Sequence, residues 1–214
     1  MPGGISRDEA WTLLCEWTES PSLRRHMLAV EAAMRAYARQ LGGDEELWGI
    51  TGLLHDLDYE RHPSLTDGHP RVAMAELSRR GYPDEMIRAI GSHADEMELS
   101  RDSELERALY AVDELCGFVL ACAYVRPKGL RGMTPKSVKK KMKTASFAAA
   151  IDRDHLRRGA ADLGVDFDEH VAFVIAALAE REDVLLDRGD ADGPASTPPS
   201  GPSDAPSQRP DTAA

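Results

Sequence analysis

The sequence predicts an all-α protein, a single helical bundle followed by a disordered C-terminal tail. Three observations support this fold class. Apolar residues recur at helical spacing along several segments, helix-start signals precede these segments, and no stretch shows the alternation of a half-buried strand. Because 42% of the 214 residues are apolar, the chain can form a substantial core. Amphipathic helices bury their apolar faces against one another, so a bundle is expected.

The first three helices have well-marked ends. Ser6 and Glu9 have the spacing of a capping box at the start of the first helix. Pro21 opens the second helix, whose apolar residues keep a helical period until Gly42 stops it. Asp44 is suited to cap a third helix, which is predicted to end near residue 55.

The later helices are marked by proline, glycine and acidic residues. A loop is predicted over residues 57–68, and Gly81 is predicted to stop the helix that follows it. A long helix is predicted to run to Val125, shortly before Pro127. The last predicted helix begins with a capping signal three residues before Glu169. The predicted starts after the loop are His69-Pro70, Pro83, Ser103, Thr134, Arg153 and Asp166.

The chain is predicted to divide into a helical domain over residues 1–188 and a tail over residues 189–214. Glycine, proline, serine, alanine and aspartate dominate the tail, which contains no large apolar residue. Such a segment cannot bury enough apolar surface to offset the entropy lost on ordering. We therefore expect the tail to be disordered.

Charge and cysteine content restrict the possible partners and compartment. The formal net charge is -11, which disfavours non-specific binding to nucleic acid or to an anionic membrane. The longest apolar run, residues 118–125, is too short to span a bilayer, and the start of the chain does not resemble a signal peptide. The three cysteines form no CxxC pair, as expected for reduced thiols. We expect a cytoplasmic protein.

Histidines and carboxylates in the first half of the chain suggest a metal centre. His26 lies beside the apolar stripe of the second helix, where a structural histidine is the commoner interpretation. His55-Asp56 follows a helix end, from which both side chains can reach one point, although a polar helix end explains the pair equally well. Asp113 lies on the apolar face of the long helix, where a carboxylate needs a metal, an arginine or N–H donors.

Taken together, these residues resemble the HD superfamily of metal-dependent phosphohydrolases. The resemblance rests on the order His, His-Asp and a distant Asp, and it covers roughly residues 20–125. In binuclear members, two histidines between the His-Asp pair and the last Asp ligate a second ion. The resemblance thus implies two divalent ions, of iron, manganese or a similar metal, with Asp56 bridging them. A mononuclear site with His69 and His93 outside it is the alternative. The implied ligands are His26, His55, Asp56, His69, His93 and Asp113.

The chain departs from the family pattern directly after the His-Asp pair. Many members continue with Ile-Gly-Lys, whereas residues 57–60 here are Leu-Asp-Tyr-Glu, so no role of that lysine can be transferred. Asp58 is predicted either to be a catalytic acid or base together with Asp56 or to be an ordinary loop carboxylate. Gly-Tyr-Pro at residues 81–83 matches a motif of the cyclic-di-GMP phosphodiesterase branch, but a helix stop and a helix start explain it.

Four other residues are given structural interpretations. His62 is predicted to be a surface or entrance residue. His155 and His170 are predicted to be solvated helix residues, and Cys116 a small core residue.

A basic segment follows the long helix and contrasts with the acidic average of the chain. It is either a solvated helix face or a docking surface for substrate phosphate. Nucleic acid is the weaker interpretation, because no aromatic residues are interleaved with the lysines. The candidate phosphate-binding residues are Arg126, Lys128, Lys136, Lys139, Lys140 and Lys143.

Three functions are consistent with the sequence. The resemblance favours hydrolysis of a nucleotide or another small phosphoester by a metal-activated water. A di-iron oxygenase similar to myo-inositol oxygenase is the first alternative, and a helical ligand-binding module without catalysis is the second. The expected partner is a small phosphorylated substrate, with no nucleic acid and no membrane, and the sequence does not determine the oligomeric state.

Overall fold

A computed structural model describes residues 6–186, of which about 66% are helical, with no β-strand among them. This confirms the predicted all-α class. The tail predicted at residues 189–214 lies outside the described residues. The helices are α1 (Arg7–Trp17), α2 (Pro21–Leu41), α3 (Glu45–Leu54), α4 (Arg71–Arg79), α5 (Asp84–Ser92), α6 (Glu104–Tyr124), α7 (Pro135–Met142), α8 (Arg153–Leu163), α9 (Phe167–Ala179) and α10 (Glu182–Leu185).

The helix ends follow the predicted capping signals. The Ser6 hydroxyl accepts from the Glu9 backbone N–H at 3.3 Å, and the Glu9 carboxylate accepts from the Ser6 backbone N–H at 2.9 Å. A second capping box opens α6 at Ser103. Gly42 ends α2 with a φ of 78°, a left-handed conformation that glycine adopts without strain. These ends are local, because each depends on residues within one turn of the helix terminus.

Three details differ from the predictions. Helices α4 and α5 begin one residue after the predicted proline starts, at Arg71 and Asp84. A 3-10 helix, Asp95–Met97, follows α5. The prediction that the helix opened by Asp166 is the last one was wrong, because α10 follows it with four residues. Such short helices contain too few apolar positions for a period to be recognised.

The core lies between α2, α3 and α6. The two 21-residue helices α2 and α6 are each about 32 Å long at 1.5 Å per residue. Large side chains from both are fully buried, including Tyr37 on α2 and Phe118 on α6. Helix α3 lies close to α2 at Gly52, where a Cβ would lie 3.0 Å from the Val30 carbonyl oxygen. This close contact brings the end of α3 beside the long helices.

His170 corrects a prediction, because it is a core residue and not a solvated one. Its ring is buried, Nδ1 accepts from the Tyr37 hydroxyl at 2.6 Å, and Nε2 donates to the Ala111 carbonyl at 3.0 Å. Burial lowers the pKa of His170, which keeps the ring neutral. The side chain thus joins α9 to α2 and α6.

None of the helices within residues 6–186 combines the length and the apolar character needed to cross a membrane.

Candidate metal centre

Five separate parts of the fold bring histidines and aspartates to one place. α2 and α6 contribute a side chain each from their buried faces. α3 and α5 end at histidines, which are their C-terminal capping residues. The turn before α4 contributes a fourth histidine. The residues brought together are the six predicted ligands His26, His55, Asp56, His69, His93 and Asp113.

The Asp56 carboxylate lies at the centre of this cluster. Its Oδ1 lies 3.6 Å from Nε2 of His55 and 3.5 Å from Nε2 of both His69 and His93. Its Oδ2 lies 3.9 Å from Nε2 of His26. Each of the four histidines therefore presents the same ring nitrogen to one carboxylate.

Asp113 closes the cluster on the α6 side. Its Oδ1 lies 3.0 Å from Nε2 of His26 and 3.2 Å from Nε2 of His55. Two overlapping groups have ligand atoms that all lie within 4.8 Å of one another: His26, His55 and Asp113, and His55, Asp56 and His93. These are ligand types and spacings that a divalent transition ion accepts.

Hydrogen bonds outside the cluster orient three of the rings. Nδ1 of His55 donates to the Gly52 carbonyl at 2.8 Å, and Nδ1 of His93 donates to the Ile90 carbonyl. Nδ1 of His69 donates to Asp58 Oδ1 at 2.8 Å. With Nδ1 donating outward, Nε2 of a neutral ring directs a lone pair toward the carboxylates, which is favourable only with a cation or a proton between them. The residues present therefore fit a metal ion.

The pKa values of the metal-free site show the same demand for positive charge. Burial opposes the charged form of His55, but Asp56 and Asp113 outweigh it and raise its pKa to about 9. Burial also opposes ionisation of Asp113, yet the neighbouring histidines hold its pKa well below the usual value. Protons therefore take the place of a cation in the metal-free protein, so metal binding must release protons and strengthen with pH.

Asp58 is buried beside the cluster, where both of its oxygens accept hydrogen bonds. Oδ1 accepts from His69 Nδ1 at 2.8 Å, and Oδ2 accepts from the Ala73 backbone N–H at 2.7 Å in the first turn of α4. Asp58 therefore contacts a predicted ligand from behind and also fixes the start of α4.

Glu114 is a site residue that the sequence reasoning missed. Burial, followed by the charges of Asp113, Asp56 and Asp152, raises its pKa to about 8. The signal was present, because Glu114 is a second carboxylate next to Asp113 in a mostly apolar helix. It adds negative charge to the cluster whenever it ionises.

We expect the Glu114→Gln substitution to stabilise the metal-free protein increasingly as pH rises. The folded state resists ionising Glu114, whereas the unfolded carboxyl ionises from about pH 4.5. The contribution of this group to the free energy of unfolding therefore falls as pH rises from 4.5 to 8. The pH-dependent gain in the free energy of unfolding should reach about 1–3 kcal/mol at pH 8. Urea unfolding at pH 4 and pH 8 measures it, with the exposed Glu104→Gln on the same helix as the control. A gain that is the same at both pH values would contradict the expectation.

Two further side chains form walls around the cluster. The Tyr59 ring packs edge-on against His69, with centroids 5.3 Å apart, and burial together with Asp56 raises the tyrosine pKa. Ile151, from the segment between α7 and α8, packs at Gly117 of α6, next to the His26 ring. The side chains of His26, Asp56 and Asp113 keep 14–19% of their surface exposed, so the cluster is open to solvent at these three residues.

The basic segment makes its contacts elsewhere in the fold. Arg126 donates to the carbonyls of Gly129 and Arg131 at 2.9 and 3.0 Å. Lys139 pairs with Asp168 of α9 at 2.6 Å. A role in binding substrate phosphate stays a prediction for all six candidates: Arg126, Lys128, Lys136, Lys139, Lys140 and Lys143.

The remaining predicted side chains have mixed outcomes. His62 is exposed and Cys116 is buried, which confirms both predictions. His155 was predicted to be solvated, but its side chain is half-buried. Its ring stacks on Tyr110 with centroids 4.0 Å apart, and Nε2 donates to the Tyr110 carbonyl at 3.2 Å.

The fold and the cluster together define an all-α protein with a group of histidine and aspartate side chains suited to hold a metal ion. Residues 23–117 match the HD domain family, and all six predicted ligands fall within that range. This match agrees with the resemblance seen in the sequence, and the HD domain family typically consists of hydrolases.

One curated relative is Ribonuclease Y from Rhodopirellula baltica, which is 27% identical over 133 residues. The match covers 62% of this chain but only 24% of that relative. No solved structure matches the chain.

Proposed function

We propose that the protein is a metal-dependent phosphohydrolase that uses two divalent ions. The observation that carries the proposal is the Asp56 carboxylate, which has the Nε2 atoms of four histidines 3.5–3.9 Å away, among residues that match the HD domain family. A carboxylate that lies between histidines of both ligand groups would be suited to contact two ions. His26, His55 and Asp113 would hold the first ion, and His69 and His93 the second.

When bound, the ions supply a water of lowered pKa and a Lewis acid for a phosphoryl oxygen. The protein residues supply the arrangement. Asp56 holds the two ligand groups at a common centre, and the three outward Nδ1 hydrogen bonds keep Nε2 of His55, His69 and His93 available as ligands. Glu114 adds negative charge beside the ions whenever it ionises, so the charge of the ions must outweigh it before an anionic substrate can approach.

We infer that Asp58 is a positioning residue for His69. An aspartate bonded to the outer nitrogen of a ligating histidine fixes the tautomer and raises the basicity of the inner nitrogen. Its full burial, and the use of both oxygens by protein donors, support this role over proton transfer to a substrate.

The Asp58→Asn substitution is expected to lower the affinity for the second metal ion by about 10–100-fold. His69 and Ala73 donate to different oxygens of Asp58, and asparagine would place an NH2 donor where one of these acceptors was. Calorimetric titration with Mn²⁺ measures the effect, and Asp67→Asn in the exposed part of the same loop is the control. Unchanged affinity for the second ion in a folded Asp58→Asn protein would contradict the positioning role.

The proposed substrate is a nucleotide or another small phosphoester. The acidic charge of the chain and of the site surroundings supports a small anion over a long nucleic acid. The exposed residues Lys136, Lys140 and Lys143 of the basic segment remain candidates for contact with an outer phosphate.

A substrate panel tests the proposal directly. Protein reconstituted with Mn²⁺ or Fe²⁺ is incubated with nucleoside mono-, di- and triphosphates, cyclic dinucleotides, an aryl phosphate and a short single-stranded RNA. We expect metal-dependent hydrolysis of at least one small phosphoester. RNA is included because a relative is named a ribonuclease. Iron-dependent oxygen uptake without hydrolysis would instead support the oxygenase alternative, and metal binding without either activity would support a binding module.

A further inference from the structure

Arg101 fixes the turn that carries His93. Its Nε donates to the Ser92 carbonyl at 2.9 Å, one residue before the histidine, and a terminal nitrogen donates to Asp95, two residues after it. One guanidinium thus holds both sides of His93. Only 17% of its side-chain surface is exposed, so its bond to the Ser92 carbonyl is partly shielded from competing water, whereas Asp95 is 46% exposed.

The same guanidinium lies on the ring of Tyr110 in α6. Its central carbon is 3.4 Å from the ring centroid, and the Tyr110 hydroxyl donates to Asp95 Oδ2 at 3.2 Å. The His155 ring of α8 also stacks on the Tyr110 ring, with centroids 4.0 Å apart. Arg158 of α8 pairs with Asp95 at 3.1 Å. The Arg101, Asp95 and Tyr110 side chains therefore form a connected cluster, which we call the Arg101 clamp.

The Arg101 clamp joins two elements that carry metal ligands. Tyr110 lies three residues before Asp113, so the two are neighbours on α6. On the other side the clamp holds the residues flanking His93 at the end of α5. Arg101 thus adds a direct link between the turn that carries His93 and α6, beside the packing of α5 on α6.

We propose that Arg101 is a positioning residue that sets the affinity for the second metal ion. This inference rests on the proposed two-ion centre, in which His69 and His93 hold that ion. Without the guanidinium, the turn after α5 loses its bond to the Ser92 carbonyl and its contact with Tyr110. His26, His55 and Asp113 are held by α2, α3 and α6 themselves, so the first ion keeps its ligands.

The test compares Mn²⁺ titrations of the full-length wild-type protein, Arg101→Met and Arg88→Met. Arg88 is a matched control, because it also joins α5 to the start of α6, through Asp102 and Glu106 at 3.1 and 2.9 Å, but its guanidinium bonds to the Ser100 carbonyl and not to that of Ser92. We expect Arg101→Met to weaken the second binding event by about 10–100-fold and to leave the first within about twofold. Arg88→Met should leave both events unchanged.

A positioning role lowers the affinity for the second Mn²⁺ ion alone, whereas general destabilisation would lower the affinity for both ions. Equal weakening of both, or no weakening of either, would overturn the inference. If Arg101→Met does not fold, Tyr110→Phe removes only the hydroxyl bond to Asp95 and should weaken the second event in the same direction by less. A wild-type protein that binds fewer than two ions would overturn the two-ion centre as well, whereas two ions with an unaffected Arg101 variant overturns only the positioning role.

Discussion

Replacing Asp56 with alanine is expected to eliminate binding of both metal ions and to lower hydrolytic activity by more than about 1,000-fold. Asp56 is the one carboxylate that all four histidine Nε2 atoms approach, at 3.5–3.9 Å. Its removal takes a ligand from each ion and the main countercharge from His55, and it leaves His69 with Asp58 as its carboxylate partner. The remaining histidines would repel one another when protonated.

Elemental analysis of metal per chain, together with the activity on whichever phosphoester the panel identifies, measures both effects. Asp154→Ala is the control, since that side chain is 83% exposed and lies on the outer surface of α8. Wild-type protein with two ions per chain, and the Asp56 variant with none, is the expected pair of results. Retention of both ions by the Asp56 variant would refute the bridging role.

The largest expected loss of stability follows from Gly159→Ala. Gly159 of α8 packs directly on α6, and a Cβ added there would lie 2.7 Å from Cα of Ala111 and 3.3 Å from its Cβ. Backbone atoms cannot move aside as the end of a flexible side chain can, so α8 must shift away from α6. Overpacking of this kind costs about 1–3 kcal/mol, even though alanine is the better helix former.

Gly117→Ala is the matched control for this substitution. Gly117 is also a helical glycine, on α6, but its added Cβ would approach no atom closer than 3.5 Å. We expect that variant to be neutral or more stable by up to about 1 kcal/mol, as helix propensity predicts. Urea unfolding of both variants gives the comparison. Equal stability changes would show that the α6–α8 contact relaxes without cost.

The sequence by itself predicted most helix boundaries, because their determinants are local. Ser6 with Glu9 and Ser103 with Glu106 satisfy backbone N–H groups within one turn, and Gly42 adopts its left-handed conformation without help from distant residues. The all-α class followed from the same local signals.

The candidate ligand set was also predictable, though for a different reason. The order of His26, His55-Asp56 and Asp113, with two histidines in between, resembles a family pattern, and that pattern requires no knowledge of packing. The sequence did not show which residues support these ligands.

Those supporting roles were decided by the tertiary structure alone. Asp58 meets His69 eleven residues away, and Tyr37 meets His170 133 residues away. Glu114 became a site residue because the fold buries it within range of the charges of Asp56 and Asp152. Each such role depends on the relative placement of elements far apart in the chain, and neither helical period nor capping chemistry encodes that placement, because both act within a few residues.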